Sequence, residues 1–118
     1  MSRYEELTLT NQVSVTATGD SGTVQTSRAD SVGADIVPYL DVTAVTGTSP
    51  TMDITVNGIV NGKAYVLANL TQATGATTER KVIPDAPKDV RLNWVIGGRT
   101  PDFTFNVQSH RSSGNGAA

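Results

Sequence analysis

Ser21 is the residue with the clearest potential for chemistry, because it lies in the run GDSG at residues 19–22. A run of this kind surrounds the nucleophile of one class of serine protease, in which the histidine base and the aspartate precede the serine along the chain. The sequence has one histidine, His110, which follows the serine, and Thr23 stands where that run continues with a second glycine. We therefore interpret residues 19–22 as a polar turn and predict no catalytic residue.

The sequence lacks the residues that metal and cofactor sites require. The chain has no cysteine and one histidine, so thiolate and multi-histidine metal sites are excluded. Neither the HExxH and EF-hand spacings nor the phosphate-binding motifs GxxxxGK[ST] and GxGxxG occur. Asp41 and Asp53 could pair across a sheet for acid–base chemistry or hold calcium, but solvated side chains on the outer face of an antiparallel sheet explain both more simply. We predict no metal, no cofactor and no enzymatic activity.

Charge is nearly balanced over the chain but unevenly divided along it. Nine basic and eleven acidic residues give a net charge of −2, which argues against a general nucleic-acid-binding protein. Residues 1–59 hold two basic and seven acidic groups, a net charge of −5, whereas residues 60–118 hold seven basic and four acidic groups, a net charge of +3. This division could support head-to-tail docking between copies or docking on a charged partner. A solvated surface on which the signs happen to segregate is the simpler interpretation.

The second half of the chain also combines basic and aromatic residues, as single-strand nucleic-acid-binding proteins do. Trp94, Phe103 and Phe105 share their alternation with aliphatic neighbours, so we expect them in the core rather than stacked on bases. Four basic side chains could still form an outer strip that binds phosphate: Lys81, Lys88, Arg91 and Arg99.

The elements that must position these residues are β-strands. Apolar and polar residues alternate with a period of two along most of the chain, and no window keeps helical spacing. The clearest runs are residues 36–45, 52–57, 90–96 and 103–107. With the weaker runs they give about eight short strands at the spacing of a sandwich or small barrel. We predict an all-β fold, a single antiparallel β-sandwich that is jelly-roll-like.

The predicted domain organisation has three parts. Residues 1–11 form an N-terminal arm or a first strand, residues 12–108 the β-sandwich domain, and residues 109–118 a flexible C-terminal tail with nothing to bury. No run of 18 apolar residues occurs, and no apolar segment follows the charges at the start of the chain. We therefore predict neither a membrane span nor a secretory signal.

Two stretches, residues 45–56 and 96–107, share the pattern of a strand, a glycine turn, Ser or Thr before proline, and a second strand. We interpret them as two similar hairpins. Ala44 to Met52 is one residue longer than Ile96 to Phe103, so one turn requires an extra bulged residue to keep the strand faces in place. Asn57-Gly58 and Asn61-Gly62 are two further candidate turns, since both residue types tolerate positive φ.

Three stretches carry a resemblance to a known kind of protein: LDVTAVTGTSPTMDITVNG (40–58), LTQATGATTERKVI (70–83) and VRLNWVIGGRTPDFTFNV (90–107). Together they resemble small β-sandwich virion proteins of tailed bacteriophages, over roughly residues 34–108. The motifs are turns and core strands, so the resemblance implies a structural protein of the particle and transfers no functional residue.

Within that resemblance we expect a capsid decoration, or cement, protein that binds and stabilises the outer shell. Its expected partners are the major capsid protein and further copies of itself, a trimer being favoured, with no nucleic acid and no membrane. Its expected location is the capsid surface of the virion, after synthesis in the host cytoplasm. The alternative within the resemblance is a structural component of the tail or the head–tail junction.

The stretch from Ser2 to Asn11 is either a contact arm that adds to an exposed sheet edge or the first strand of the sandwich. We predict possible partner contacts within it at Arg3, Tyr4, Glu5 and Glu6. An alternative from another class is a carbohydrate- or receptor-binding module, since jelly rolls commonly serve as lectins. Such a module needs exposed aromatic side chains, for which Tyr4, Tyr39 and Tyr65 are the candidates.

Overall fold

The computed structural model describes residues 4–25 and 34–112, which form one antiparallel sheet with seven strands. This confirms the predicted all-β fold. Within these residues no helix is long and apolar enough to cross a membrane. The strands in chain order are β1 (Tyr4–Val15), β2 (Gly19–Gln25), β3 (Ala34–Val60), β4 (Lys63–Asn69), β5 (Thr77–Arg80), β6 (Ile83–Ala86) and β7 (Asp89–Ser112).

β3 and β7 form a long antiparallel ribbon on which the rest of the sheet is built. Their pairing extends from Asp35 opposite Ser112 to Ile59 opposite Asp89. β1 and β2 pair with β7, whereas β4, β5 and β6 pair with β3. The ribbon is therefore the interior of the sheet and the five shorter strands flank it.

The ribbon bends at a corner where two glycines face each other. Gly47 and Ser49 in β3 have φ values of 118° and 49°, and Gly98 and Thr100 in β7 have values of 104° and 46°. A Cβ on Gly47 would lie 2.7 Å from the carbonyl oxygen of Thr100, and a Cβ on Gly98 would lie 2.6 Å from the carbonyl oxygen of Ser49. The corner requires glycine at both positions, for its backbone conformation and for the close approach of the opposite chain.

The two similar stretches are the two sides of this corner and not two hairpins. Val45 lies opposite Phe103 and Met52 lies opposite Ile96, so residues 45–56 and 96–107 pair with each other. The hairpin interpretation is wrong. Glycine followed by proline indicates that the chain bends, but it does not identify the strand with which the bent segment pairs. The extra residue required by the spacing is accommodated at the register shift between Val42 and Ala44.

The corner divides the sheet into two layers. The first layer contains β1, residues 103–112 of β7, residues 34–45 of β3, and β5 with β6; the second layer contains β2, residues 89–96 of β7, residues 52–60 of β3, and β4. This is the strand order of an eight-stranded jelly roll. The number of strands differs from the expected eight because β3 and β7 each run through both layers, while one edge is split between β5 and β6.

The hydrophobic core lies between the two layers. The ring of Trp94, in the second layer, meets the ring of Phe105, in the first, edge to face with centroids 5.4 Å apart. Aromatic pairs prefer this geometry, and both residues are core residues as predicted. The buried apolar side chains of the ribbon are Ile36, Leu40, Val42, Met52, Ile54, Val56, Val90, Leu92, Trp94, Phe103, Phe105 and Val107.

Of the two Asn-Gly candidates, only Asn61-Gly62 is a turn. It joins β3 to β4 with φ values of 54° and 75°, which are those of a two-residue type I′ hairpin. Asn57-Gly58 lies inside β3, where it pairs with β4 on one side and β7 on the other. The ladder on both sides keeps the chain extended at a dipeptide that favours a turn.

The described residues include parts of the predicted arm and tail. Residues 4–11 lie in β1, where Tyr4 pairs with Ser112 of β7. The predicted flexible tail belongs to β7 as far as Ser112, because residues 109–112 are flanked by β1 and β3, and Ser109 is buried there. Residues 1–3 and 113–118 lie outside the described residues.

Candidate functional site

The hydroxyl group of Ser21, the candidate nucleophile, is hydrogen-bonded to the main chain. Its Oγ donates to the carbonyl oxygen of Gly22 at 2.8 Å and accepts from the N–H of Leu92 at 3.0 Å. The carboxylate of Asp20 accepts from the N–H of Gly22 at 2.8 Å. These bonds hold a register shift within β2, so the expected polar turn is a β-bulge. The arrangement gives Ser21 a structural role.

Asp41 and Asp53 lie on opposite outer faces of the molecule. Asp41 alternates with the buried Leu40 and Val42 in the first layer, and Asp53 alternates with the buried Met52 and Ile54 in the second. Because the layers pack with their apolar sides together, the two carboxylates point away from each other and cannot share a proton or a cation. Among residues 4–25 and 34–112, no group of three or more His, Asp or Glu side chains is placed to hold a metal ion.

The four basic residues considered as a phosphate-binding strip are dispersed. Lys81 follows β5 in the first layer and pairs with Glu79 at 3.9 Å. Lys88 directly precedes β7, Arg91 lies on the outer face of the second layer, and Arg99 lies in the corner opposite Thr48. The strand topology assigns them to different parts of the molecule, so they do not form one strip.

The predicted contact residues lie at the start of the chain. Arg3 is outside the described residues. The main chains of Tyr4, Glu5 and Glu6 begin β1 and pair with residues 110–112 of β7. In the described part of the chain β1 pairs with β7 alone, so this segment follows an edge of the first layer. Their role as partner contacts stays a prediction.

The outer face of the second layer carries a network of amide side chains that pattern reasoning missed. Asn93 Oδ1 accepts from Asn57 Nδ2 at 2.7 Å and from Arg91 Nε at 3.2 Å, and Thr55 Oγ1 donates to Asn69 Oδ1 at 3.0 Å. Asn57 is only 9% exposed although it lies on the solvent side of the strand. In the sequence these residues occupy the polar positions of the apolar–polar alternation. Their contacts with one another can be recognised only once the pairing of the strands is known.

The outer face of the first layer carries an exposed aromatic ring among polar side chains. Tyr39 lies between Gln108 of β7 and Arg80 of β5 in register, and Asp41, two residues further along β3, lies beside Asn106. We call these five residues the Tyr39 face. Leu40 and Val42 on the other side of the strand are buried, so Tyr39 and Asp41 face solvent.

The two described tyrosine side chains are equally exposed but differently placed. Tyr39 is 44% exposed and Tyr65 is 45% exposed. A Cβ on Gly58 would lie 2.8 Å from Cζ of Tyr65 and 2.7 Å from Cγ of Pro87, so the ring of Tyr65 packs over Gly58 at the end of the sandwich. Tyr39 is therefore the tyrosine on an open sheet face.

The fold is similar to that of solved structures at low sequence identity. No protein-family model matches the sequence, and neither does any curated protein. The structure is similar to chains of infectious bursal disease virus. The VP2 subviral particle has a TM-score of 0.63 at 14% identity, covering 98% of this chain and 33% of that one. The T13 viral particle has a TM-score of 0.60 at 14% identity, covering 98% and 32%.

A third similar structure, of the Gx strain of the same virus, has a TM-score of 0.58 at 14% identity and covers 100% of this chain and 34% of that one. The present chain thus spans about a third of the length of each of these viral chains. At this level of identity the similarity establishes the fold alone.

Proposed function

We propose that this chain is a structural component of a virus particle, and specifically a capsid decoration protein of a tailed bacteriophage that binds the outer shell and stabilises it. The observation that carries the proposal is the match of 98–100% of the chain to part of chains from viral particles. The resemblance of its turn and core motifs to small phage virion proteins supports the finer assignment.

The stretches that carry the phage resemblance are the ones on which this fold depends. Residues 40–58 and 90–107 supply both sides of the corner and most of the ribbon. Residues 70–83 carry the chain from the second layer to the first, because Leu70 and Ala73 bond to β3 in the second layer while β5 pairs with it in the first. The resemblance therefore lies in the framework and supports a shared architecture.

Binding to the shell would use the edge strand β1 and the residues that precede it. An edge strand offers unpaired main-chain groups to a partner strand, and Glu5 and Glu6 would add charge to the contact. Copies would associate with one another, a trimer being favoured as the phage resemblance implies. A head-to-tail contact that repeats with three-fold rotation closes into such a ring.

Co-sedimentation with expanded capsids that lack this protein tests the proposal. We expect the purified chain to sediment with such capsids and to raise the temperature at which they rupture. Glu5→Lys should weaken binding about tenfold through the lost contact, whereas Asp53→Lys, an equal change of charge on the outer face of the second layer, should leave it unchanged. A chain that joins tails and never capsids would contradict the decoration role. Equal binding by both variants would contradict the β1 contact.

The proposed trimer is tested separately by sedimentation equilibrium of the purified chain. We expect a species with three times the monomer mass at concentrations on the order of 10 μM, which corresponds to micromolar affinity between copies. A monomer at every concentration, both free and bound to capsids, would contradict self-association while leaving the shell-binding proposal standing.

A further inference from the structure

The Tyr39 face combines an exposed ring with hydrogen-bonding groups that the fold does not use. In the described part of the chain, the carboxylate of Asp41 and the amide of Asn106 have no hydrogen-bond or ion-pair partner, and neither has the guanidinium group of Arg80. Gln108 has one bond, accepting from Thr8 Oγ1 through Oε1 at 2.9 Å, which leaves its Nε2 group available. Donors and acceptors of both kinds are therefore free around one aromatic ring.

The register places these groups at the spacing of a sugar ring. Tyr39 and Asp41 are two residues apart on β3, about 6.5–7 Å along the strand. Asp41 and Asn106 are directly opposite on adjacent strands, with Cα atoms about 4.5–5.5 Å apart. Arg80 and Gln108 lie on either side of Tyr39. Neighbouring strands lie about 4.8 Å apart, so the four polar side chains surround Tyr39 within reach of the hydroxyl groups of a sugar ring that rests on it.

We propose that the Tyr39 face is a binding site for a neutral saccharide, a pyranose of a longer glycan. The C–H groups of one sugar face would pack on the ring of Tyr39, whose π surface carries partial negative charge. Hydroxyl groups both donate and accept. They would therefore donate to the carboxylate of Asp41 and accept from the amide groups of Asn106 and Gln108 and from Arg80.

The composition of the face favours a saccharide over a protein partner. The centres of protein interfaces are enriched in aromatic residues, Met and Arg, are depleted in Asp, Glu and Lys, and hold several apolar anchors. Here one aromatic ring is the single apolar anchor, and a carboxylate, two amides and a guanidinium surround it. The face is part of a regular sheet, and the side chains are held by strand pairing on both sides of β3. Such a surface suits an extended polymer bound along the sheet.

Titration of ¹⁵N-labelled protein with methyl glucoside, methyl mannoside and methyl galactoside tests this proposal. We expect at least one sugar to shift amide signals of β3, β5 and β7 around the Tyr39 face, with saturable binding. Tyr39→Ala and Asp41→Asn should each weaken that binding about tenfold, the loss of one charge-assisted hydrogen bond or of the stacking contact. Tyr65→Ala and Asp53→Asn are matched controls, equal in chemistry and on other surfaces, and should bind as the unmodified chain does.

Three outcomes would overturn the proposal. The first is that none of the three sugars shifts the spectrum. The second is that the Tyr65 and Asp53 controls lose binding as much as the Tyr39 and Asp41 variants. The third is that Tyr39→Ala abolishes capsid binding and leaves sugar binding intact, which would make this face a protein contact. Loss of capsid binding in the Glu5→Lys variant alone would not bear on the saccharide site, so the two proposals fail separately.

Discussion

At the scale of single residues, consecutive residues of a strand have distinct roles, because one side chain faces the core and the next faces solvent. Trp94 is buried against Phe105 across the core, whereas Val95, the next residue, is 57% exposed on the outer face of the second layer. The polar positions are equally ordered, since Ser21, Asn57 and Asn93 each bind a main-chain or amide group. The side chains that could do chemistry thus include those that hold the fold and those of the Tyr39 face, whose polar groups are free except for Gln108 Oε1.

Replacing Trp94 with alanine should lower the free energy of unfolding by about 3–5 kcal/mol, because it leaves a large cavity between the layers. Val95→Ala removes an exposed side chain from the adjacent position and should change it by less than about 0.5 kcal/mol. Urea unfolding followed by circular dichroism measures both. A near-neutral result for Trp94→Ala would contradict its place in the core.

At the scale of elements, the corner makes one ribbon into two layers. The glycines of β3 and β7 approach the opposite main chain to within van der Waals distance, and Ser49 and Thr100 adopt positive φ beside them. Each of the two strands crosses from one layer to the other without a loop, so the corner joins the two halves of the core at two points of the chain. A change at the corner should therefore affect both layers together.

Gly98→Ala should lower the free energy of unfolding by about 1–3 kcal/mol, through strain at positive φ and the clash with the carbonyl oxygen of Ser49. Gly75→Ala is the control, because nothing lies within 4 Å of a Cβ there and the residue does not have positive φ. Thermal unfolding compares the two variants under one buffer condition. Equal melting temperatures would contradict the requirement for glycine at the corner.

Strand identity was predictable from the sequence because each strand buries one face. The runs around Leu40, Ile54, Leu92 and Phe105 alternate with polar residues, and all four side chains are buried as their patterns predict. The pairing of the strands was not predictable. Residues 45–56 and 96–107 would show the same local pattern whether each stretch formed its own hairpin or the two stretches paired with each other. Asn57-Gly58 shows the same limit, since a local turn preference yields to a ladder on both sides.

The candidate sites also differ in whether the sequence alone could predict them. The core role of Trp94 followed from its place in the alternating pattern of its strand. The Tyr39 face depends on register, because Arg80 and Asn106 are far from Tyr39 in sequence and adjacent to β3 only in the sheet. The apolar–polar alternation within one strand does not show which residues of other strands lie beside it.

At the scale of the whole molecule, the chain is a jelly roll whose two outer faces differ. The second layer presents amide groups that bond to one another, and the first presents the Tyr39 face beside the β1 edge. A particle component with this arrangement can bind the shell through an edge strand and leave one sheet face to solvent. The fold is shared with part of VP2 of infectious bursal disease virus, and the proposed place of this chain is on a shell rather than in its wall.

Cryo-electron microscopy of the intact particle tests the central claim most directly. Density for this jelly roll should lie on the outer surface of the capsid, in contact with the major capsid protein through β1, and it should be absent from particles made without the chain. Density at the tail or at the head–tail junction, with none on the shell, would contradict the account.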